Sequence, residues 1–212
     1  MSLDTGVYPE IIMTFHQIFP DIVYKTKIAD SEIIKKKFAD ELINKFIHGP
    51  NEKPDWLAMC NTWQVPANEE IEKLFYIYFE EHVHRWLEYY SFPTIKYGIA
   101  MWINIHTSDM YQEIHDHIGP NIILAGNYNL QLNEKDSPLV FVKKNKYVDM
   151  LNTMGMQLPH KNNISLDGKE GDLLLFAPDQ AHLVPGAKEK HDGHRITISF
   201  NVVRSSFGTH EN

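Results

Sequence analysis

The stretch Arg195-Ile196-Thr197-Ile198-Ser199-Phe200-Asn201-Val202 alternates strictly: Ile196, Ile198, Phe200 and Val202 fall on one side of an extended backbone, and Arg195, Thr197, Ser199 and Asn201 on the other. A two-residue period rich in β-branched and aromatic side chains is the pattern of a strand with one face in a core. Upstream, Asp172–Ala177 is an almost unbroken apolar run, and Ile99–His106, Ile122–Leu132 and Leu139–Lys143 repeat the strand signal. Gly119-Pro120-Asn121, the segment 133–138, Asp167-Gly168 and Lys169-Glu170-Gly171 punctuate them as turns. Residues 144–170 read as a long irregular insertion.

The first half follows a different period. After Asp30 or Ser31 as N-cap, Ile34, Phe38, Leu42, Phe46 and Ile47 recur at helical spacing until Gly49-Pro50. A second helix is expected from Pro66-Ala67-Asn68, with an apolar stripe from Ile71 to Tyr90. Short strands after two helices predict a mainly β jelly roll, a double-stranded β-helix, with both helices packed on one sheet. The expected organisation is one domain over 1–212, with 1–94 as mostly helical support and 95–204 as the jelly-roll core.

Composition narrows the function. The net charge of −8 argues against a broad grip on nucleic acid, and Lys35-Lys36-Lys37 reads as a solvated helix face. The one cysteine, Cys60, allows neither an internal disulfide nor a thiolate zinc site, and suits a reducing cytoplasm. No segment reads as a signal peptide or a membrane span. Phosphate loops, serine nucleophile elbows and Cys-x-x-Cys pairs are missing from the sequence, so any chemistry rests on the histidines.

Within Glu113-Ile114-His115-Asp116-His117, an extended backbone turns His115 and His117 toward one face, where both can reach one metal. With 12 histidines in the chain, such a pair also arises by chance, as His82/His84 illustrates. His182 follows the apolar strand 173–178, and a lone histidine there is more commonly a turn or surface residue. The polar face of 195–202 either meets water or lines a barrel mouth, where the Arg195 fork can hold a carboxylate with Thr197 adding a hydroxyl.

This order of parts resembles the Fe(II)/2-oxoglutarate dioxygenase superfamily, and more closely the 2-oxoglutarate-Fe(II) oxygenase-like proteins of bacteria and marine phages. The resemblance runs from Ile99 to Val203. It rests on Trp102-Ile103-Asn104, His115-Asp116-His117, Ala125-Gly126-Asn127-Tyr128, the strand 171–178 leading to His182, and Arg195-Ile196-Thr197. It implies Fe(II) on His115, His117 and His182, with 2-oxoglutarate as cosubstrate held by Arg195 and Thr197 and contacted by Tyr128 and Asn104. The implied reaction is hydroxylation of an unidentified substrate. His117 departs from the pattern, because the usual facial triad is two histidines and a carboxylate; Asp116, on the opposite face of an extended strand, does not replace it. Two other readings remain at this point: a cupin-like metal enzyme that needs no 2-oxoglutarate, for which the expected Glu after His117 is missing, and a non-enzymatic jelly-roll binding or structural module. The sequence specifies neither substrate nor oligomeric state.

Overall fold

The computed structural model describes residues 21–48, 63–92, 95–143, 154 and 163–205. The strands are β1 (Val23–Lys27), β2 (Trp63–Pro66), β3 (Tyr97–His106), β4 (Gln112–His115), β5 (Ile122–Gln131), β6 (Leu139–Val142), β7 (Asn163–Leu166), β8 (Asp172–Phe176), β9 (His182–Val184) and β10 (Arg195–Arg204). They form two sheets in which neighbours pair antiparallel, a larger one in the order β1-β8-β5-β10-β3-β2 and a smaller one in the order β4-β9-β6-β7. This is the expected double-stranded β-helix. Helices α1 (Ser31–His48), α2 (Glu69–Leu74) and α3 (Glu80–Tyr89) supply the helical layer, and the last two are joined by a π-helical turn over Phe75–Phe79.

Each helix starts where the side chains favour it. Ile34 N–H donates to the Asp30 carbonyl at 3.0 Å, and the Asn68 side chain caps α2 by accepting from Ile71 N–H at 3.0 Å. The second helix was expected to carry one apolar stripe from Ile71 to Tyr90. Within it, Glu80 N–H bonds back to the Phe75 carbonyl, and the widened turn seats two whole rings against β10. Phe79 stacks on Phe200 with centroids 5.7 Å apart, and Phe75 meets the same ring edge-on at 5.3 Å.

Strand alternation sorts β10 into two environments. Ile196, Ile198, Phe200 and Val202 are fully buried against the helical layer, in a core that also takes Ile103, Ile105, Leu124 and Tyr128. Burial of each such large side chain stabilises the fold by roughly 1.5–3 kcal/mol. Gly126 belongs to this packing, since a Cβ there would sit 2.2 Å from the Phe200 ring. Only a residue without a side chain lets that ring lie flat on β5. The opposite face of β10 is not in water: Arg195, Thr197 and Ser199 are buried between the two sheets. A second, smaller apolar cluster, including Leu139, Phe141, Leu174 and Phe176, fills the rest of that space.

The N-terminal region, expected as mostly helical support, also supplies β1 and β2, the two outer strands of the larger sheet. Short edge strands with polar residues carry little two-residue signal, which is why they were missed. The segment 144–170 is not irregular throughout: Asn163–Leu166 pair with β6 as β7. Residues 144–153 and 155–162 of that segment lie outside the described residues. Among the described residues no helix is long and apolar enough to cross a membrane.

Candidate metal centre and cosubstrate pocket

His115 closes β4 and His182 opens β9, and the two are antiparallel partners across the smaller sheet. Beyond β4, His117 N–H donates to the Pro178 carbonyl at 2.8 Å, which ties this segment to the β8–β9 turn. The three rings therefore converge from residues 115–182 of the chain. Centroid distances are 4.2 Å for His115–His182, 5.1 Å for His117–His182 and 5.5 Å for His115–His117. One ligand atom from each lies within 4.8 Å of the others.

The hydrogen bonds behind the rings decide which nitrogen carries the hydrogen. His115 Nδ1 lies 2.9 Å from the Glu113 carbonyl and His182 Nδ1 lies 2.9 Å from the Gln180 carbonyl. A carbonyl only accepts, so each Nδ1 carries the hydrogen and each Nε2 keeps its lone pair. His117 Nδ1 donates to the Asn201 side-chain carbonyl at 2.7 Å. Burial lowers the pKa of all three rings, to about 3 for His182, where the neighbouring His115 adds to the effect. Neutral imidazoles with Nδ1 tied back by a hydrogen bond are the donor set that a divalent transition metal takes. The residues present fit Fe(II).

Aromatic side chains wall the cluster. Trp102 lies along the His117 ring with centroids 5.7 Å apart and planes at 28°, and Phe176 meets His182 edge-on at 4.8 Å. The Asp116 side chain accepts from Ile118 N–H at 3.2 Å.

A small cavity of about 20 Å³ beside the histidines is lined by Asn104, Asn127, Thr197 and Ser199 as well as the rings. That volume holds about one water. Asn104 Nδ2 donates to Ser199 Oγ at 2.9 Å and faces Thr197 Oγ1 at 3.4 Å, while Asn127 Nδ2 donates to Ser199 Oγ at 3.1 Å. The carbonyl oxygens of both asparagines are buried without a partner. Arg195 lines a neighbouring cavity of about 590 Å³, and Leu139 is a wall of both spaces. Arg195 is only 4% exposed, donates from one Nη to the Ser137 carbonyl, and leaves Nε buried without a partner. Burial lowers its pKa to about 10, so it stays cationic at neutral pH, and the negative charge of Asp136 partly offsets the cost. A buried cation with an unused donor is the complement of a carboxylate.

Of the residues singled out from sequence, His115, His117, His182, Asn104 and Thr197 surround one cavity, and Arg195 stands across Leu139 from them. Tyr128 does not join them. It pairs with Ile198 in register, faces the helices, and packs on Phe79 with centroids 5.0 Å apart. One step along the strand, Asn127 takes the inward place. Reading Tyr128 as a contact missed this one-residue alternation. Asn127, Ser199, Asn201 and Trp102 are the site residues that sequence reasoning did not assign. For Ser199 and Asn201 the signal was available, because they share a face with Thr197.

Residues 100–201 match a family model described as "Putative 2OG-Fe(II) oxygenase". No curated protein matches the chain. Among solved structures, a Pseudomonas putida prolyl-4-hydroxylase superposes with a TM-score of 0.62 at 9% identity, covering 88% of this chain and 94% of that one. A viral collagen prolyl hydroxylase from Paramecium bursaria Chlorella virus-1, in a 2-oxoglutarate complex, gives 0.56 at 12% identity, covering 87% and 96%. HygX from Streptomyces hygroscopicus, with nickel and 2-oxoglutarate bound, gives 0.58 at 10% identity, covering 88% and 84%. At such identities these likenesses establish the double-stranded β-helix alone. In its core segment, residues 100–201, this chain is similar to the 2OG-Fe(II) oxygenases.

Proposed function

We propose that this protein is a non-haem Fe(II)- and 2-oxoglutarate-dependent dioxygenase that hydroxylates its substrate, with His115, His117 and His182 as the metal ligands. The observation that carries the assignment is the convergence of the three rings, one ligand atom from each lying within 4.8 Å of the others, with Nδ1 bonded to Glu113, Asn201 and Gln180 behind them. Fe(II) with 2-oxoglutarate supplies oxygen activation coupled to decarboxylation of the cosubstrate to succinate.

The chain's own residues orient and enclose. Arg195 receives the distal carboxylate of 2-oxoglutarate through its unused donor, and Thr197 adds a hydroxyl. Asn104 and Asn127 complete the pocket: turning their amides would point N–H groups at the guest and give each carbonyl oxygen a hydroxyl donor from Ser199 or Thr197. Leu139 must shift for the cosubstrate to span both spaces, since the cavity at the histidines holds only a water. Trp102, Phe176 and Phe141 keep bulk water from the centre. No side chain need act as a general base. We also read the chain as one domain, supported by β1 and β2 being edge strands of the same sheet, and as cytoplasmic, supported by its single cysteine.

The test is succinate formation from 2-oxoglutarate in the presence of Fe(II) and oxygen. Slow turnover without added substrate is expected for the wild type and is absent in His182→Ala. Equal rates in the two proteins would remove the assignment.

A further inference from the structure

His117 is held differently from its two neighbours. The Nδ1 partners of His115 and His182 are backbone carbonyls two residues earlier in the chain, which extended backbone supplies whatever the side chains are. The Nδ1 partner of His117 is a side chain on another strand, 84 residues away. A backbone carbonyl can only accept, but a carboxamide offers an acceptor on one end and a donor on the other. Were the Asn201 amide turned over, its N–H would donate to Nδ1, the ring hydrogen would move to Nε2, and His117 would cease to be a ligand.

We propose that Asn201 is the positioning residue that lets an imidazole serve where the usual facial triad has a carboxylate: its side-chain carbonyl holds His117 in the tautomer whose Nε2 binds metal. This rests on the metal reading of the three histidines. Several observations carry it. The bond is short, at 2.7 Å. Asn201 continues the inward polar face of β10 beyond Thr197 and Ser199, and its paired neighbours, Ala100 on β3 and Ala125 on β5, are small. Trp102 restrains the ring along its face, which fixes its plane but not its tautomer. Asp116, the nearest carboxylate in sequence, is turned away to Ile118 N–H. Among the described residues, the group that selects the ring's hydrogen position is therefore neutral, and the centre gains a third nitrogen ligand without gaining a negative charge.

Three variants isolate this role. Asn201→Leu keeps the approximate volume and removes the acceptor. Asn201→Asp can only accept. His117→Asp restores the usual carboxylate and removes the ring on which Asn201 acts. Co(II) affinity of the metal-free proteins, read from the visible absorption of the bound ion, should fall about 10–100-fold in Asn201→Leu, the usual cost of losing a partner behind a metal-binding imidazole. It should be retained or rise in Asn201→Asp. In the His117→Asp background, adding Asn201→Leu should change affinity by no more than about twofold, because the coupling runs through the lost ring.

Long-range nitrogen–proton spectra of the metal-free wild type should show His117 with its hydrogen on Nδ1, and Asn201→Leu should shift it toward Nε2. Wild-type Co(II) affinity in Asn201→Leu, or an equal loss in the His117→Asp background, overturns the proposal. So does an Nε2–H tautomer in the wild type, a result that decides the matter even if the leucine variant does not fold. Failure of the wild type to bind Co(II) overturns the metal reading itself, and is distinguishable because it precedes any comparison of variants.

Discussion

His115 and His182 face each other as antiparallel partners on β4 and β9, and their ring centroids are 4.2 Å apart. The sheet itself thus brings together two proposed metal ligands separated by 67 positions in the chain. Removing either should abolish the effect of metal on stability. A metal at a hundredfold excess over its dissociation constant stabilises the native state by about 2.7 kcal/mol. In a chain of this size that raises the melting temperature by roughly 5–10 °C. Ni(II) or Co(II) should give such a shift in the wild type and none in His182→Ala, and thermal melting with and without metal checks it.

Arg195→Met should separate cosubstrate binding from metal binding. The guanidinium is buried with Nε unused, so losing a charge-assisted contact to a carboxylate should cost about 1.5–3 kcal/mol, roughly ten-fold to over one hundred-fold in 2-oxoglutarate affinity. Metal affinity should not change. Isothermal titration of the metallated variant with 2-oxoglutarate measures the first, and titration of the metal-free variant the second.

Gly126→Ala should destabilise the fold by about 1–3 kcal/mol, because its Cβ would enter the ring of Phe200, which Phe75 and Phe79 hold in place from the other side. Urea unfolding should show a lower midpoint with an unchanged slope. At Gly98, where a Cβ would meet nothing within 4 Å, the same substitution should have little effect.

Acid should destabilise the metal-free protein well above the pH at which its carboxylates titrate. Burial lowers His106 to about 3, helped by the charge of Arg195, and lowers His182 to about 3, against 6.5 for the unfolded chain. Between those values the unfolded state binds more protons than the native state, so the stability due to the neutral rings is complete above pH 6.5 and declines as pH falls toward 3. Each such group contributes at most about 1.4 kcal/mol per pH unit. The urea midpoint of metal-free protein should therefore fall between pH 7 and pH 5.

The core of this account was legible in the sequence because alternation is a physical constraint. Ile196, Ile198, Phe200 and Val202 had to share a face, and so did Arg195, Thr197, Ser199 and Asn201. Whether the polar face met water or a cavity was not legible, since that depends on the smaller sheet laid across it. The inward face of β5 was obscured by Tyr128, whose ring suits a core and whose hydroxyl suits a pocket; register with Ile198 puts it in the core. Strands β1, β2 and β7 escaped notice because four or five residues at a sheet edge are too few to impose a pattern. The acceptors behind the rings, Asn201 above all, lie far from the histidines along the chain and become visible only when the strands are paired.

The most direct test is an anaerobic titration of metal-free protein, first with Fe(II) and then with 2-oxoglutarate, followed by visible absorption. The account predicts one iron per chain, no visible band from iron alone, and a metal-to-ligand charge-transfer band that grows to saturation with 2-oxoglutarate. Iron bound without that band at saturating 2-oxoglutarate, or no iron bound at all, would contradict it.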